Sequence, residues 1–417
     1  MIMSDDHGYQ DLGCYGSPDI ISPNLDKLAR QGVRFTDFYV THPVCTASRA
    51  AFLTGRYPDR FGLKGLAPRG HDTVPHDEKL LPEFLKTRGY KTAAIGKWHL
   101  GYTSGGTPEE RGFDEFYGLL EGVATYRTHL YHGKEPALFD GKEVVHREGE
   151  YLTEIFTDKA VEFISANMKK PFFLYLAYNA PHYPMHVPPQ KYLDPYGFEP
   201  DQVNNNRLKY MTMVTAMDHG IGEVLDALER NGVSDNTLVI FFSDNGGQND
   251  VGGRNTPYRG EKHTDWEGGI RVPAIVRWPG KITGPKVCRE PVMSMDFFEL
   301  ICKAAHVKLP KNITFDTHDS SGLFLDGRKG EPRRDFFFRY GSKRFRGNAM
   351  RRDDFKLVSD STSDTQNALY NLSQNPSESS DVSKQHPELT VEMIRAMEAW
   401  SKTIESEYWA KRRAKRK

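Results

Sequence analysis

The chain has 417 residues with 56 basic and 56 acidic side chains, so its formal net charge is zero. A neutral chain has no overall attraction for nucleic acid or for an anionic membrane surface, and it contains no apolar run of the roughly 18 residues that a bilayer span needs. At about 100–200 residues per domain, its length allows two or three structural units. The cysteines are too few and too scattered for a disulfide framework, although a bridge between Cys288 and Cys302 stays open for an exported protein.

The N-terminus has no basic and apolar leader, and only three apolar residues precede Asp5. Since a buried strand usually takes about five residues, we expect a first strand whose beginning was removed together with an export signal. A periplasmic or secreted location follows from this expectation, with a cytoplasmic location as the alternative.

Short, continuous apolar runs alternate with helical patterns through the first 300 residues. The runs typical of buried strands lie at 92–95, 171–178, 237–242 and 272–278. Apolar residues spaced three, four and seven apart predict helices over 151–168 and 208–230. This alternation predicts an α/β fold, with a large, mostly parallel sheet covered by helices on both faces.

The composition changes near residue 310, which predicts a large N-terminal domain over 1–310. Residues 311–334 are rich in Gly, Asp, Lys and Pro, as is typical of a linker or long loop. Beyond them, short strands at 335–340 and 355–358 precede a helix at 387–410. We therefore predict a small α+β subdomain over 335–417, with short antiparallel strands and a terminal helix.

Two pairs of oxygen-bearing side chains follow predicted strands. Asp5 and Asp6 end the first apolar run, and Asp244 and Asn245 follow the run at 237–242. Ligands of parallel sheets bind at the carboxyl ends of the strands, so the four side chains would meet if these two strands were neighbours. Three carboxylates and an amide would repel one another without a cation, and they favour a hard ion such as Ca²⁺ or Mg²⁺. Taken singly, each pair is also typical of helix caps and turns.

The segment over residues 44–56, VCTASRAAFLTGR, carries the most specific pattern. It resembles the signature of the type I sulfatases, which is Cys-x-Pro-Ser-Arg followed by Leu-Thr-Gly-Arg. Further blocks resemble the same family in the same order, at 96–101 (GKWHLG), 180–184 (APHYP), 243–246 (SDNG), 259–262 (RGEK), 266–273 (WEGGIRVP) and 368–372 (ALYNL). The resemblance covers the whole chain and implies the alkaline phosphatase-like fold, in particular that of polysaccharide and glycosaminoglycan sulfatases.

This resemblance implies sulfate ester hydrolysis by the domain over 1–310. In the family the motif cysteine is oxidised to Cα-formylglycine, the nucleophile, which makes Cys45 its precursor. The implied ligands of a Ca²⁺ ion, with Mg²⁺ as the alternative, are Asp5, Asp6, Asp244, Asn245 and the modified Cys45. The implied catalytic residues are Cys45, Arg49, Lys97, His99, His182 and Lys262. Of these, Arg49 would orient the nucleophile, His99 would act as base, and Lys97, His182 and Lys262 would bind the substrate. Either His182 or Lys262 would protonate the leaving oxygen.

The implied partners are a sulfated carbohydrate and a maturation enzyme, either formylglycine-generating or anaerobic. Polar inserts at 102–147 and 186–207 would wall a pocket, and they carry six groups suited to sugar rings and further sulfates: Tyr126, Arg127, His129, Tyr131, His132 and His186. One position departs from the family pattern, since Ala47 stands where the motif has proline. This departure bears on the oxidation of Cys45 and leaves the pocket unaffected.

Two alternatives stay open. A phosphoester or phosphonate hydrolase of the same superfamily would use two metal ions with several histidine ligands, and no second acidic or histidine cluster is evident in the sequence. A pseudoenzyme that binds sulfated glycans would result if Cys45 stayed a thiol.

Overall fold

The computed structural model describes residues 1–66, 73–325, 334–341, 346–360 and 365–414. The strands in chain order are β1 (Ile2–Ser4), β2 (Val33–Phe35), β3 (Phe38–Tyr39), β4 (Lys91–Lys97), β5 (Glu115–Leu119), β6 (Leu130–Tyr131), β7 (Glu135–Pro136), β8 (Leu138–Asp140), β9 (Glu143–Val144), β10 (Phe172–Ala177), β11 (Val239–Ser243), β12 (Ala274–Arg277), β13 (Lys286–Cys288), β14 (Val292–Met293), β15 (Phe336–Gly341), β16 (Arg346–Arg352), β17 (Phe355–Asp360) and β18 (Thr365–Asn371). The α-helices are α1 (Pro23–Arg30), α2 (Cys45–Thr54), α3 (Leu81–Lys86), α4 (Leu152–Asn167), α5 (Asn206–Arg230), α6 (Glu267–Ile270), α7 (Asp296–Ala304), α8 (Ser321–Phe324) and α9 (Pro387–Ala414).

Within the described residues, a ten-stranded sheet runs through the centre of the molecule in the order β13-β2-β12-β11-β1-β10-β4-β5-β8-β9. The five central strands, β11-β1-β10-β4-β5, run parallel to one another. Antiparallel pairing is found toward both margins, where β12 opposes β11 and β2, and β8 opposes β5 and β9. The predicted large, mostly parallel sheet flanked by helices is confirmed.

Both faces of the central strands are buried, which explains why these strands read as continuous apolar runs. In β11, Phe241 packs in a core with α4 and α5, whereas Ile240 and Phe242 pack in a second core with α2 and α7. The ring of Phe38 contacts those of Phe242 and Phe297 in this second core, at centroid distances of 5.2 and 4.9 Å. Helices cover the two faces, and the carboxyl ends of the strands stay accessible to side chains from the loops.

A four-stranded antiparallel sheet, β15-β16-β17-β18, forms the C-terminal part of the described chain. Met393 and Met397 of α9 pack on its strands together with Met350 and Leu357. The sequence patterns predicted β15, β17 and α9 and missed the strands β16 and β18. Of the predicted loop over 311–334, residues 326–333 lie outside the described residues, and α8 forms a short helix just before them.

All four cysteines are free, so Cys288 and Cys302 form no bridge. In the described part of the chain, no helix has both the length and the apolar character that a membrane crossing requires.

Candidate active site

β1 and β11 are parallel neighbours in register up to their last residues, so the side chains that follow them meet at one edge of the sheet. The backbone N–H of Asp6 donates to Oδ1 of Asp244 at 3.2 Å, and Nδ2 of Asn245 donates to Oδ1 of Asp6 at 2.7 Å. Asp5, Asp6, Asp244 and Asn245 are all fully buried. The structure brings together the four side chains expected to hold the metal ion.

Cys45 is the first residue of α2, a helix that the sequence patterns did not predict. All ten residues of α2 are buried, so its sequence has no polar face to mark it as helical. Cys45 and Arg49 stand one helical turn apart and share a face. The sulfur of Cys45 and one carboxylate oxygen each from Asp5 and Asp244 lie within 4.8 Å of one another. Residue 45 therefore lies beside the carboxylates at the ends of β1 and β11.

Each of the three carboxylates is paired with a basic side chain. The pairs are Arg49 with Asp244 (Nε to Oδ2, 2.9 Å), Lys97 with Asp5 (Nζ to Oδ2, 2.5 Å) and Lys262 with Asp6 (Nζ to Oδ2, 2.7 Å). With each group in its ordinary ionised form, the six charges sum to zero. These pairs balance the three negative charges within the protein, although Asp5 and Asp6 still repel the carboxylate of Asp244.

The donor atoms of the site nevertheless fit a hard divalent cation. Oδ1 of Asp5 and Oδ1 of Asn245 are buried and accept no hydrogen bond, and such unsatisfied acceptors are rare in protein interiors. Burial and the charge of Asp5 raise the pKa of Asp244 to about 7, so negative charge is crowded here. Oxygen ligands of this kind are those that Ca²⁺ and Mg²⁺ prefer. In the described residues, the two groups of side chains that could hold a metal share Asp5 and mark one centre.

His99 lies beside Cys45, with 3.2 Å between Nδ1 and Sγ. Its backbone has φ 58°, in the left-handed region that non-glycine residues rarely adopt and that is common at functional sites. A Cβ at Gly122 would be 2.5 Å from Cε1 of His99, so only glycine leaves room for the ring. Burial, followed by the charges of Lys97 and Arg49, lowers the pKa of His99 well below its usual value. The imidazole is therefore neutral and has a nitrogen lone pair.

His182 and Lys262 form a second hydrogen-bonded pair at the site. Nδ1 of His182 donates to the carbonyl oxygen of Tyr183 at 2.6 Å, so Nε2 is the unprotonated nitrogen of the neutral ring. Nζ of Lys262 donates to this Nε2 at 3.1 Å. Burial and the charge of Lys262 lower the pKa of His182 to about 3. Burial also acts to lower the pKa of Lys262, but the charges of Asp6, Cys45 and Asp5 together outweigh it and raise this pKa. Lys262 is accordingly the member of the pair that carries the positive charge.

Tyr126 holds the loop of His182 in place. Its hydroxyl lies 2.9 Å from the carbonyl oxygens of both Asn179 and His182, to which it donates, and its side chain is fully buried.

From the sequence, Tyr126 and His129 are among the insert side chains suited to binding sugar, but the structure buries both. From that group, Tyr131 and His132 line the pocket described next.

A cavity of about 430 Å³ opens above the catalytic candidates. Cys45, His99, His182 and Lys262 form its base, and polar and aromatic side chains form its walls, including Tyr102, Glu121, Tyr131, His132, Tyr183, Gln248 and His263. A larger cavity of about 600 Å³, around Met1 and Phe173, lies at the amino ends of the strands and contains none of these side chains. The smaller cavity is the candidate active site because it contains the reactive groups.

Glu121 and Tyr102 line this cavity and were not selected from the sequence. Glu121 follows the apolar run at 116–120, just beyond the carboxyl end of β5, which pairs with β4. The argument that selected Asp5 and Asp244, a polar residue directly after a buried strand, applies equally to Glu121 and would have found it.

Comparison with known proteins gives consistent matches over residues 1–403. Residues 1–307 match the family model described as Sulfatase, and residues 260–403 match the one described as N-sulphoglucosamine sulphohydrolase, C-terminal. Arylsulfatase J of Mus musculus is 38% identical over 329 residues, which cover 76% of this chain and 54% of that protein. N-acetylgalactosamine-6-sulfatase of Homo sapiens is 34% identical over 355 residues, which cover 79% of this chain and 66% of that protein. The chain thus spans about half to two thirds of the length of these curated relatives.

Solved structures resemble the chain over more of their length. The crystal structure of Ps i-CgsB in complex with k-i-k-neocarrahexaose has a TM-score of 0.89 and 35% identity, and the match covers 96% of this chain and 91% of that one. The PsFucS1 sulfatase from Pseudoalteromonas sp. has a TM-score of 0.83 and 28% identity, with 98% and 90% covered.

Proposed function

The chain belongs to the sulfatase family, and on that premise we propose that it hydrolyses sulfate esters of a sulfated carbohydrate. In this proposal Cys45 acts in its Cα-formylglycine form, and Asp5, Asp6, Asp244 and Asn245 hold a Ca²⁺ ion. The observation that carries the proposal is the position of Cys45. Its sulfur lies within 4.8 Å of carboxylate oxygens from two strand ends and 3.2 Å from an imidazole nitrogen, at the base of a cavity.

The charges at the site support an anionic substrate. Because the six paired side chains sum to zero, a bound divalent cation would give the group a net charge of +2. Positive charge fixed in a buried site stabilises an anion and the further charge that its oxygens gain during the reaction. When bound, the ion would supply Lewis acidity at the oxygen atoms that reach it.

The groups around residue 45 have positions that suit its chemistry. In its oxidised and hydrated form, residue 45 supplies two hydroxyl groups on one carbon. His99, whose Nδ1 contacts the side chain at this position, takes a proton from one of them. Arg49 donates to Asp244 and to the carbonyl oxygen of Lys97 at 2.8 Å, so it holds the end of β4 against the helix that carries residue 45. Lys97 then provides a buried ammonium group for the sulfate oxygens.

The His182–Lys262 pair lies at the cavity side of the site, where the sugar oxygen departs. Nζ and Nε2 share a hydrogen-bonded proton over 3.1 Å, and both side chains line the cavity. This pair binds sulfate and supplies the proton to the leaving alcohol. Tyr126 keeps the pair in position through its hydrogen bond to the backbone of His182.

Ala47 does not disturb the folded site. It is the third residue of α2, and proline is tolerated in the first turn of a helix because the N–H groups there have no acceptor within the helix. Its side chain is buried against Val44 and Tyr340. The difference between alanine and proline therefore concerns the maturation enzyme, which reads the chain before it folds.

The proposal is tested by mass and by sulfate release. In protein isolated from its native host, oxidation of Cys45 lowers the intact mass by about 18 Da, and an unchanged thiol would favour the glycan-binding pseudoenzyme. Matured protein should release sulfate from at least one member of a panel of sulfated saccharides. Cys45→Ala should abolish this release and leave thermal unfolding unchanged; turnover retained by that variant would refute the assignment. Two tightly bound zinc ions per chain would instead indicate phosphoester chemistry.

A further inference from the structure

Glu121 lies next to the catalytic candidates, at a strand end that the proposed reaction does not use. The backbone N–H of His99 donates to the carbonyl oxygen of Leu120 at 3.1 Å, which continues the pairing of β4 with β5 beyond the ends of the strands. Gly122 then lies against the His99 ring. Glu121 stands between these two contacts, has 8% of its surface exposed and lines the cavity.

Tyr102 orients the Glu121 carboxylate. The two side chains are hydrogen-bonded, and both line the cavity. A carboxylate only accepts hydrogen bonds, so the phenol is the donor. Burial, then the charges of Glu121 and Cys45, raise the pKa of Tyr102. The phenol therefore stays protonated, and it is near enough to residue 45 for the two to interact electrostatically.

A carboxylate at this place does not serve to bind sulfate. Among the described residues that line the cavity, Glu121 is the only Asp or Glu; the other ionisable groups are cysteine, tyrosine, histidine and lysine. A carboxylate repels an anion, but it is a strong acceptor for the hydroxyl groups that a sugar carries in large number. Its presence in a pocket for an anionic substrate therefore indicates contact with a neutral part of that substrate.

We propose that Glu121 is a specificity-determining residue: its carboxylate accepts a hydrogen bond from a hydroxyl group of the sulfated sugar ring, and it excludes rings that carry a second anionic group at that position. This inference rests on the proposed sulfatase function. Specificity of this kind combines an attractive contact for the correct substrate with a repulsive one for its competitor.

The test compares Glu121→Gln with wild-type protein on two kinds of sulfate ester. The first is the positional isomer of galactose monosulfate that the wild type hydrolyses fastest, and the second is 4-nitrophenyl sulfate, which has no sugar hydroxyl groups. We expect the ratio of kcat/KM for the sugar to that for the nitrophenyl ester to fall about 10- to 100-fold, mainly through KM. The loss of a hydrogen bond to a charged group typically weakens binding by about this factor. The preference for monosulfated over disulfated galactose should fall as well.

A matched control and a second variant separate specificity from folding. Glu143→Gln changes an exposed carboxylate on the same insert and should leave the ratio unchanged. Tyr102→Phe keeps the Glu121 carboxylate but removes its orienting hydroxyl, and should lower the ratio less than Glu121→Gln. Equal losses on both esters, or an unchanged ratio in folded Glu121→Gln protein, would overturn the proposal and assign Glu121 a structural role.

Binding distinguishes this inference from the proposed function. Calorimetric titration of the Cys45→Ala variant with galactose monosulfate needs no turnover. Adding Glu121→Gln to that variant should weaken binding about tenfold or more. If matured wild-type protein released no sulfate from any ester, the proposed function would fail, yet a Glu121-dependent binding of the sugar would still support this inference. Equal affinity with and without the Glu121 carboxylate would overturn it.

Discussion

Lys356→Met would leave a buried carboxylate without its cation, where the C-terminal sheet meets the segment that follows Lys262. Lys356 lies in β17 and is fully buried, and its Nζ is 2.9 Å from Oε1 of Glu267 and 2.9 Å from Oε1 of Glu378. Glu267 would keep the hydroxyl of Tyr39 and the guanidinium of Arg271. Glu378 would keep the backbone N–H of Glu267, so it becomes the stranded charge.

Removal of one partner from a buried ion pair typically costs about 3–5 kcal/mol. At about 2.1 cal/mol/K per residue, the entropy of unfolding for 417 residues is about 0.9 kcal/mol/K. The loss for Lys356→Met therefore corresponds to a fall in Tm of about 3–6 °C. Because Glu267 begins α6, directly after the segment that carries Lys262 and His263, sulfate release should fall too.

Differential scanning calorimetry of three variants at about pH 9, above the pKa of about 7 that Glu378 has beside Lys356, checks this reasoning. The double variant Lys356→Met with Glu378→Gln should regain part of the lost stability, since glutamine has no charge and its amide oxygen still accepts from the N–H of Glu267. Lys402→Met, an exposed change on α9, should stay within about 0.5 kcal/mol of the wild type. A wild-type Tm for Lys356→Met, or a double variant less stable than the single one, would refute the stranded charge.

Three further predictions follow from contacts described above. Tyr126→Phe removes the hydroxyl that donates to the His182 carbonyl, so we expect a loss of about 1 kcal/mol in unfolding free energy and a lower kcat; Tyr90→Phe, at the opposite edge of the sheet, should leave kcat unchanged. Calcium at 100 times its Kd should add about 2.7 kcal/mol to the unfolding free energy, and Asp244→Asn should weaken this gain in thermal-shift titrations. Burial raises the pKa of Glu378 from 4.5 to about 7 against the opposing charge of Lys356. The folded state therefore favours the protonated form of Glu378, and the stability that this preference contributes is present below pH 4.5 and is lost as the pH rises to about 7. Glu378→Gln should therefore gain stability relative to the wild type over that interval, and parallel stability curves would contradict this assignment.

Local patterns were sufficient to predict the central strands but not their order in the sheet. The apolar runs at 171–178 and 237–242 were recognisable because both faces of these strands are buried. That β11 lies beside β1, which brings Asp244 to Asp5, depends on contacts between residues more than 200 positions apart. From the sequence, the meeting of the two pairs of metal ligands could be predicted only on the condition that these two strands are neighbours. No local pattern contains that information.

The helix α2 shows where periodicity fails. A helix that is buried on every side has no polar stripe, so its sequence, CTASRAAFLT, offers no contrast to detect. Its cysteine was identified from the family motif alone, and only the structure shows that Cys45 and Arg49 share one face of a helix. Tyr126 is the converse case, because a tyrosine in a polar insert suggested contact with sugar, whereas its ring is buried and its hydroxyl holds the loop of His182.

Charge balance within the protein links folding of the site to its proposed activity. Because Asp5, Asp6 and Asp244 are each paired with a basic side chain, the chain can bury them without a metal ion, and metal-free protein should fold. Oδ1 of Asp5 and Oδ1 of Asn245 accept no hydrogen bond, so a cation can still bind there at little cost in lost hydrogen bonds. Its charge would then be uncompensated by the protein and available to an anionic substrate. Metal-free protein that is unfolded at neutral pH would contradict this order of events, whereas folded protein that gains stability and sulfate affinity with calcium would support it.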